Sequence, residues 1–341
     1  MPQPLRVTVP GKIMLAGEYA VLRGGVAMLA STTQVCKATL RRHSDPDHCL
    51  RTVGFRDGTY RFAVDARARV TDISGDSAAA LRLPVAVIEE FPPRKPVSLS
   101  LDTSAFYNGD RKLGLGSSAA ASVALAEVLA RFNGDPEVRR SALNAHRAFQ
   151  GGHGSGADIY AVQQGGVVSF QRNDGRNKLT TLPWPASLHA TVLTLSTAAP
   201  TVSHIKRFDA WLETDADAER LLNAMIAATQ GLANVWRGGD AAAIIEVMRE
   251  LTQHMLAIDS VGGLGYTAGG HAALLQAEAP AGVLYKPVGA GGGELGLALS
   301  DDPEALAAFV SQVTGKESAV LDTALGITRP TRSWQTDEGA S

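Results

Sequence analysis

The residues Lys112-Leu-Gly-Leu-Gly-Ser-Ser-Ala-Ala120 pack glycines, hydroxyls and an ammonium into a stretch that runs straight into an alanine-rich helical pattern. Glycines allow backbone N–H groups to converge on one anion, and the positive end of a helix dipole would lie behind them. Gly114, Leu115, Gly116, Ser117, Ser118 and Ala119 therefore read as a phosphate cradle. Ser117 and Ser118 follow where a divalent cation wants an oxygen ligand, so either hydroxyl can serve the metal and the other a phosphate oxygen, with Ser118 taken as the metal ligand. The stretch is not the common P-loop, because G-x-x-x-x-G-K-[ST] occurs nowhere in the chain. The competing expectation is that the two serines only cap the helix that follows.

Two further glycine-rich segments stand far from the first. They are Pro10-Gly-Lys-Ile-Met-Leu-Ala-Gly-Glu-Tyr19 and Lys286-Pro-Val-Gly-Ala-Gly-Gly-Gly-Glu294. Gly154-Ser-Gly-Ala-Asp158 places a carboxylate just after a flexible turn, so Asp158 is expected at a loop or helix start facing a cleft. No histidine pair, including His43 and His48, has transition-metal spacing.

The elements that must position these groups can be read from pattern. Leu5–Val9 alternates like a strand that Pro10-Gly11 should stop, and Val26–Thr33 and Val97–Asp102 are further strands. Residues 51–64 read as a hairpin around Asp57-Gly58. Ser117–Arg131 is apolar enough for a buried helix ended by Asn133-Gly134, and Asp135-Pro136 opens another that reaches about Gln150. Gly165–Gln171 and His189–Thr197 are strand candidates. From Pro200 the pattern is helical, with Asp240 as an N-cap. Val283–Pro287 and Leu295–Ser300 flank the last glycine loop as strands, and Asp302-Pro303 opens a final helix. The whole reads as α+β, cut near Pro183-Trp-Pro185. Residues 1–185 form the expected N-terminal domain, which carries the phosphate cradle, 186–330 the C-terminal domain, and 331–341 a frayed polar tail.

Composition narrows the classes. The 341 residues are 45% hydrophobic with a net charge of −2, which suits a packed core and excludes a basic nucleic-acid-binding surface. No apolar run is long enough for a membrane span and no leader is recognisable, so the expectation is a cytoplasmic protein with neither membrane nor nucleic acid as partner. Cys36 and Cys49 read as reduced structural thiols. Nothing in the sequence specifies an oligomeric state.

With these motifs in order along the chain, the sequence resembles the GHMP kinase superfamily, the group of galactokinase, homoserine kinase, mevalonate kinase and phosphomevalonate kinase. The resemblance implies a ribosomal-protein-S5-like N-terminal domain and a ferredoxin-like C-terminal domain. It implies transfer of the ATP γ-phosphoryl group, with Mg²⁺, to a small-molecule oxygen. Gly17-Glu-Tyr-Ala-Val-Leu22 and the Ala145-His146, Gln150-Gly151 and Gly154-Ser-Gly-Ala-Asp158 signatures are most similar to phosphomevalonate kinases. Arg147 stands where mevalonate kinases tend to carry a glutamate, and Glu294 where phosphomevalonate kinases usually have Asp. Ser196-Thr197 and Thr201 match the family's substrate segment only loosely.

By resemblance Asp158 is the catalytic carboxylate and Lys12 its ammonium partner. Substrate binding extends to Lys112, Ser155, Gly291 and Gly292, with His153 and Lys206 as further cationic candidates and Glu18 as a loop-bracing acid. A phosphorylated alcohol is the expected acceptor. Mevalonate, or another alcohol used by a small-molecule kinase, is the alternative. A ligand-binding homologue without catalysis is the reading from a different class.

Overall fold

A computed structural model describes residues 3–43, 45–73, 80–135, 138–151, 154–173, 176–196, 204–315 and 318–333. The chain divides into two compact units that interleave in sequence. The first comprises residues 1–12, 31–165 and 328–341, and the second 13–30 and 166–327. The cut expected near residue 185 differs from this partition, because Pro183–Pro185 is anchored inside the second unit. Trp236 Nε1 donates to the Pro183 carbonyl at 2.8 Å, and Trp184 packs edge-on against Trp236.

In the first unit, the C-terminal half of strand Val26–Arg42 pairs antiparallel with Val97–Asp102. Val97–Asp102 pairs parallel with His48–Val53, which in turn pairs antiparallel with Gly58–Val64. The helices Arg82–Glu90, Ser117–Asn133, Val138–Phe149 and Ala157–Gln164 pack together in this unit. Small side chains explain the burial of Ser117–Asn133. Ala119, Ala120, Ala124, Ala126 and Ala130 are all inaccessible, so its neighbours approach closely on every side. Gly134, in the left-handed conformation with φ 74°, closes this helix as the sequence indicated.

The second unit holds an antiparallel sheet in the order Leu284–Pro287, Leu295–Ser300, His189–Leu195, Ser318–Val320. Leu193, Val283, Tyr285, Ala298, Leu306 and Phe309 form its core against the helix Pro303–Val313. Asp302 caps that helix by accepting from the N–H groups of Glu304 and Ala305. Asp240 caps Ala241–Gly262 through the N–H of Ala243. The N-terminal half of Val26–Arg42 pairs with Val167–Asn173, which forms a hairpin with Arg176–Leu182.

Three sequence expectations are corrected. Pro10-Gly11 does not stop the first strand, which runs over Leu5–Ala16. Gly11 is there for close approach, since a Cβ would lie 2.6 Å from the Leu115 carbonyl oxygen. Helix Arg82–Glu90 was not foreseen, because Pro84 masks its first turn. The tail assigned as frayed begins with an ordered strand, Thr331–Ser333, paired antiparallel with Arg6–Thr8. Arg332 in it forms a two-pronged ion pair with Glu127, a buried carboxylate that propensity rules cannot match to a distant arginine. Pro136 and the residues after 333 lie outside the described residues.

Candidate active site

The first unit brings together most of the chemistry expected from sequence. Gly114 and Gly116 take left-handed backbone angles (φ 70° and 75°), turning the chain into the helix Ser117–Asn133. Gly116 is the N-cap residue, so the N-cap position offers no side chain to cap this helix. The first-turn N–H groups have no intrahelical partner, which is the arrangement an anion can satisfy. The helix-cap expectation for Ser117 and Ser118 therefore is not met. Ser117 instead hydrogen-bonds the Tyr107 hydroxyl, and Ser118 Oγ lies 3.2 Å from His146 Nε2. Leu115 is fully buried and anchors the loop from below, and its carbonyl accepts from the Lys12 N–H at 2.9 Å. Ala119 is buried as well.

The Lys12 side chain passes directly over the cradle. A Cβ on residue 116 would sit 2.9 Å from Lys12 Cε, so a larger residue there would push the lysine stem aside. Lys12 Nζ ends 2.9 Å from Asp158 Oδ1. Asp158 lies in the first turn of Ala157–Gln164, entered through Gly156 at φ 83°. Ser155 Oγ accepts from the Ala157 N–H at 3.2 Å and so helps start that helix. An ammonium held against a partly exposed carboxylate, next to uncapped helix N–H groups, can neutralise an anion and orient or deprotonate a nucleophile.

Lys112 lies on the short strand Arg111–Lys112, paired with Tyr107–Asn108. With Ser117 and Ser118 it lines a cavity of about 140 Å³ whose other walls include Phe55, Leu83, Tyr107 and Phe149. These apolar and aromatic residues were missed from sequence. They come from separate segments, with no shared motif to mark them. His146 was quoted only as part of a signature. Burial pushes its pKa below the ordinary histidine value, against the pull of Asp158 and reinforced by Lys12 and Lys112.

Gly291 and Gly292 lie in the second unit, packed on Tyr266. The Gly292 N–H donates to the Tyr266 carbonyl at 3.0 Å, and a Cβ on Gly291 would strike the Tyr266 ring. In the same unit Glu18 accepts from Lys286 Nζ at 2.9 Å, with both side chains buried. His271 Nε2 faces the Gly293 carbonyl at 3.0 Å and Nδ1 faces the Tyr285 hydroxyl at 2.8 Å. The carbonyl can only accept, so Nε2 carries the proton and Nδ1 accepts from Tyr285. His153, Thr197, Thr201 and the side chain of Lys206 lie outside the described residues.

Among the described residues no three His, Cys, Asp or Glu side chains cluster as a metal site, and no helix is long and apolar enough to cross a membrane. Cys36 and Cys49 are unpaired thiols. The Ser118 hydroxyl is a hard oxygen donor of the kind Mg²⁺ takes, the rest of its shell coming from phosphate and water.

Comparison with known proteins bears on this arrangement. Residues 79–166 match the GHMP kinases N terminal domain, a span that includes the cradle, His146 and Asp158. The phosphomevalonate kinase of Streptomyces sp. (strain CL190) is 28% identical over 342 residues, covering 86% of this chain and 88% of the relative. The mevalonate kinase of Aeropyrum pernix is 27% identical over 178 residues, 51% of this chain and 52% of the relative. The fold matches Streptococcus pneumoniae phosphomevalonate kinase in complex with phosphomevalonate and AMPPNP. The TM-score is 0.68, with 17% identity, over 93% of this chain and 99% of that one.

Proposed function

We propose that this chain, which belongs to the GHMP kinase superfamily and is a phosphotransferase of the mevalonate-pathway type, moves the γ-phosphoryl group of ATP onto phosphomevalonate. The observation that carries the reading is the Lys12–Asp158 pair at 2.9 Å, beside the uncapped N-terminus of Ser117–Asn133. Phosphoryl transfer consists mostly of positioning and charge neutralisation, and this corner of the first unit offers both.

The residues divide the work as follows. N–H groups from Gly114 to Ala119 hold the nucleotide phosphates. Mg²⁺, when bound, screens the phosphate charges, and Ser118 is the residue that would hold it. Lys12 neutralises charge on the oxygens being transferred, and Asp158 orients the acceptor oxygen. Lys112 is the cation assigned to the acceptor's own phosphate, with Ser155 as a further substrate-binding position.

A coupled ADP-release assay with phosphomevalonate and mevalonate in parallel, with and without EDTA, tests this reading. The expected result is Mg²⁺-dependent turnover of phosphomevalonate. Efficient use of mevalonate alone replaces the acceptor, and no turnover of either refutes the reading.

A further inference from the structure

The contact between Ser118 and His146 is not something a phosphate cradle requires. The 3.2 Å separation joins the second residue of one helix to a residue near the end of another, Val138–Phe149. His146 is 2% exposed, so its ring is held by packing rather than by solvent. Ser118 is fixed a second way, since the Ser122 hydroxyl donates to its carbonyl at 2.9 Å. A neutral imidazole has one donor and one acceptor nitrogen, and a hydroxyl has one proton and two lone pairs. Where Nε2 takes the hydroxyl proton, both lone pairs of Ser118 Oγ remain for a cation. Where the ring is absent, the hydroxyl rotates and a lone pair is no longer held toward the metal.

We infer that His146 is a positioning residue that accepts the Ser118 hydroxyl proton and thereby aims the Oγ lone pairs at the divalent cation bound with the nucleotide. The inference rests on the nucleotide and metal reading above, and its test separates the two. Glutamine can place an acceptor oxygen near the Nε2 position, whereas asparagine reaches only as far as Nδ1. The probes are AMPPNP, titrated calorimetrically in EDTA, and Mn²⁺, titrated by electron paramagnetic resonance with AMPPNP saturating.

His146→Asn should weaken Mn²⁺ about tenfold, a loss of about 1.4 kcal/mol, and His146→Gln should stay within about threefold of the unsubstituted protein. Ser118→Ala should match His146→Asn, and the double variant should lose nothing more, because one interaction has been removed twice. Metal-free AMPPNP affinity should be unchanged throughout. Wild-type Mn²⁺ affinity in His146→Asn, additive losses, or an equal loss in EDTA overturns the inference. If the unsubstituted protein binds no AMPPNP, the nucleotide reading itself falls. Should His146→Asn not fold, Ser118→Thr against Ser118→Ala decides, since the hydroxyl must be kept for affinity. Equal Mn²⁺ affinities there overturn the inference too.

Discussion

Replacing Lys12 by methionine removes the ammonium 2.9 Å from Asp158 while keeping an aliphatic stem over Gly116. The side chains are 14% and 31% exposed, so water screens the pair, and its loss costs folding at most about 1 kcal/mol. In a chain of this size that lowers Tm by roughly 1–2 °C. Catalysis should respond on another scale. A group that acts on the reacting oxygens typically contributes 10²–10⁴-fold, or about 2.7–5.5 kcal/mol of barrier. Lys12→Met and Asp158→Asn should therefore each lower kcat by roughly 10²–10⁴-fold with nearly unchanged Tm. The double variant should be no worse than the poorer single, because the two act as a unit. Initial-rate ADP release at saturating substrates, with thermal unfolding of the same preparations, measures both quantities. A kcat within about threefold of the unsubstituted enzyme in either variant takes the pair out of the chemistry. A Tm drop beyond about 10 °C makes it structural and refutes the screening estimate.

Four other outcomes follow from the same reasoning. Lys286→Met leaves Glu18 buried without its partner and should cost about 3–5 kcal/mol in urea unfolding, most of it recovered in the Glu18→Met/Lys286→Met double variant. Arg332→Met strands buried Glu127 and should cost about 1–3 kcal/mol, whereas a frayed tail would cost nothing. Burial pushes the pKa of His271 down to about 4, so the unfolded chain binds the extra proton first as pH falls. Stability should drop from near pH 6.5 toward pH 4, and His271→Gln should flatten that slope in urea unfolding. Lys112→Met should raise KM for phosphomevalonate about tenfold and spare KM for ATP, and the reverse pattern assigns Lys112 to the nucleotide.

Legibility in the sequence followed the range of the forces involved. Asp240, Asp302 and Gly134 were readable because a cap is a contact within a few residues. The glycine turn into Ser117–Asn133 was readable for the same reason, since it is set by Gly114, Gly116 and the helix they open. What escaped depends on partners far away in sequence. Lys286 sits 268 residues from Glu18, and Arg332 sits 205 from Glu127. His146 lies only 28 residues from Ser118, but the contact depends on how two helices cross. Pro10-Gly11 misled for a related reason. Its glycine answers to the Leu115 carbonyl and the Phe106 ring, not to a local turn.

The two acid–lysine pairs show how burial assigns a role that distance cannot. Lys12–Asp158 and Glu18–Lys286 have the same 2.9 Å separation. The second is almost wholly out of water, so neither of its charges can turn to another partner without leaving the other stranded. Such a pair braces the fold. The first keeps enough exposure for Lys12 to exchange part of its interaction with Asp158 for an incoming phosphate at small cost. The acceptor then determines which member matters more. A phosphate monoester loses its second proton near pH 6, so it arrives ionised and depends most on the charge of Lys12. An alcohol arrives with its proton and depends most on Asp158. The ratio of the two kcat losses, Lys12→Met against Asp158→Asn, should exceed one with a phosphorylated acceptor and fall below one with an alcohol. The ratio thus reports the acceptor class from the protein side, and a ratio that does not change between the two acceptors would refute this division of roles.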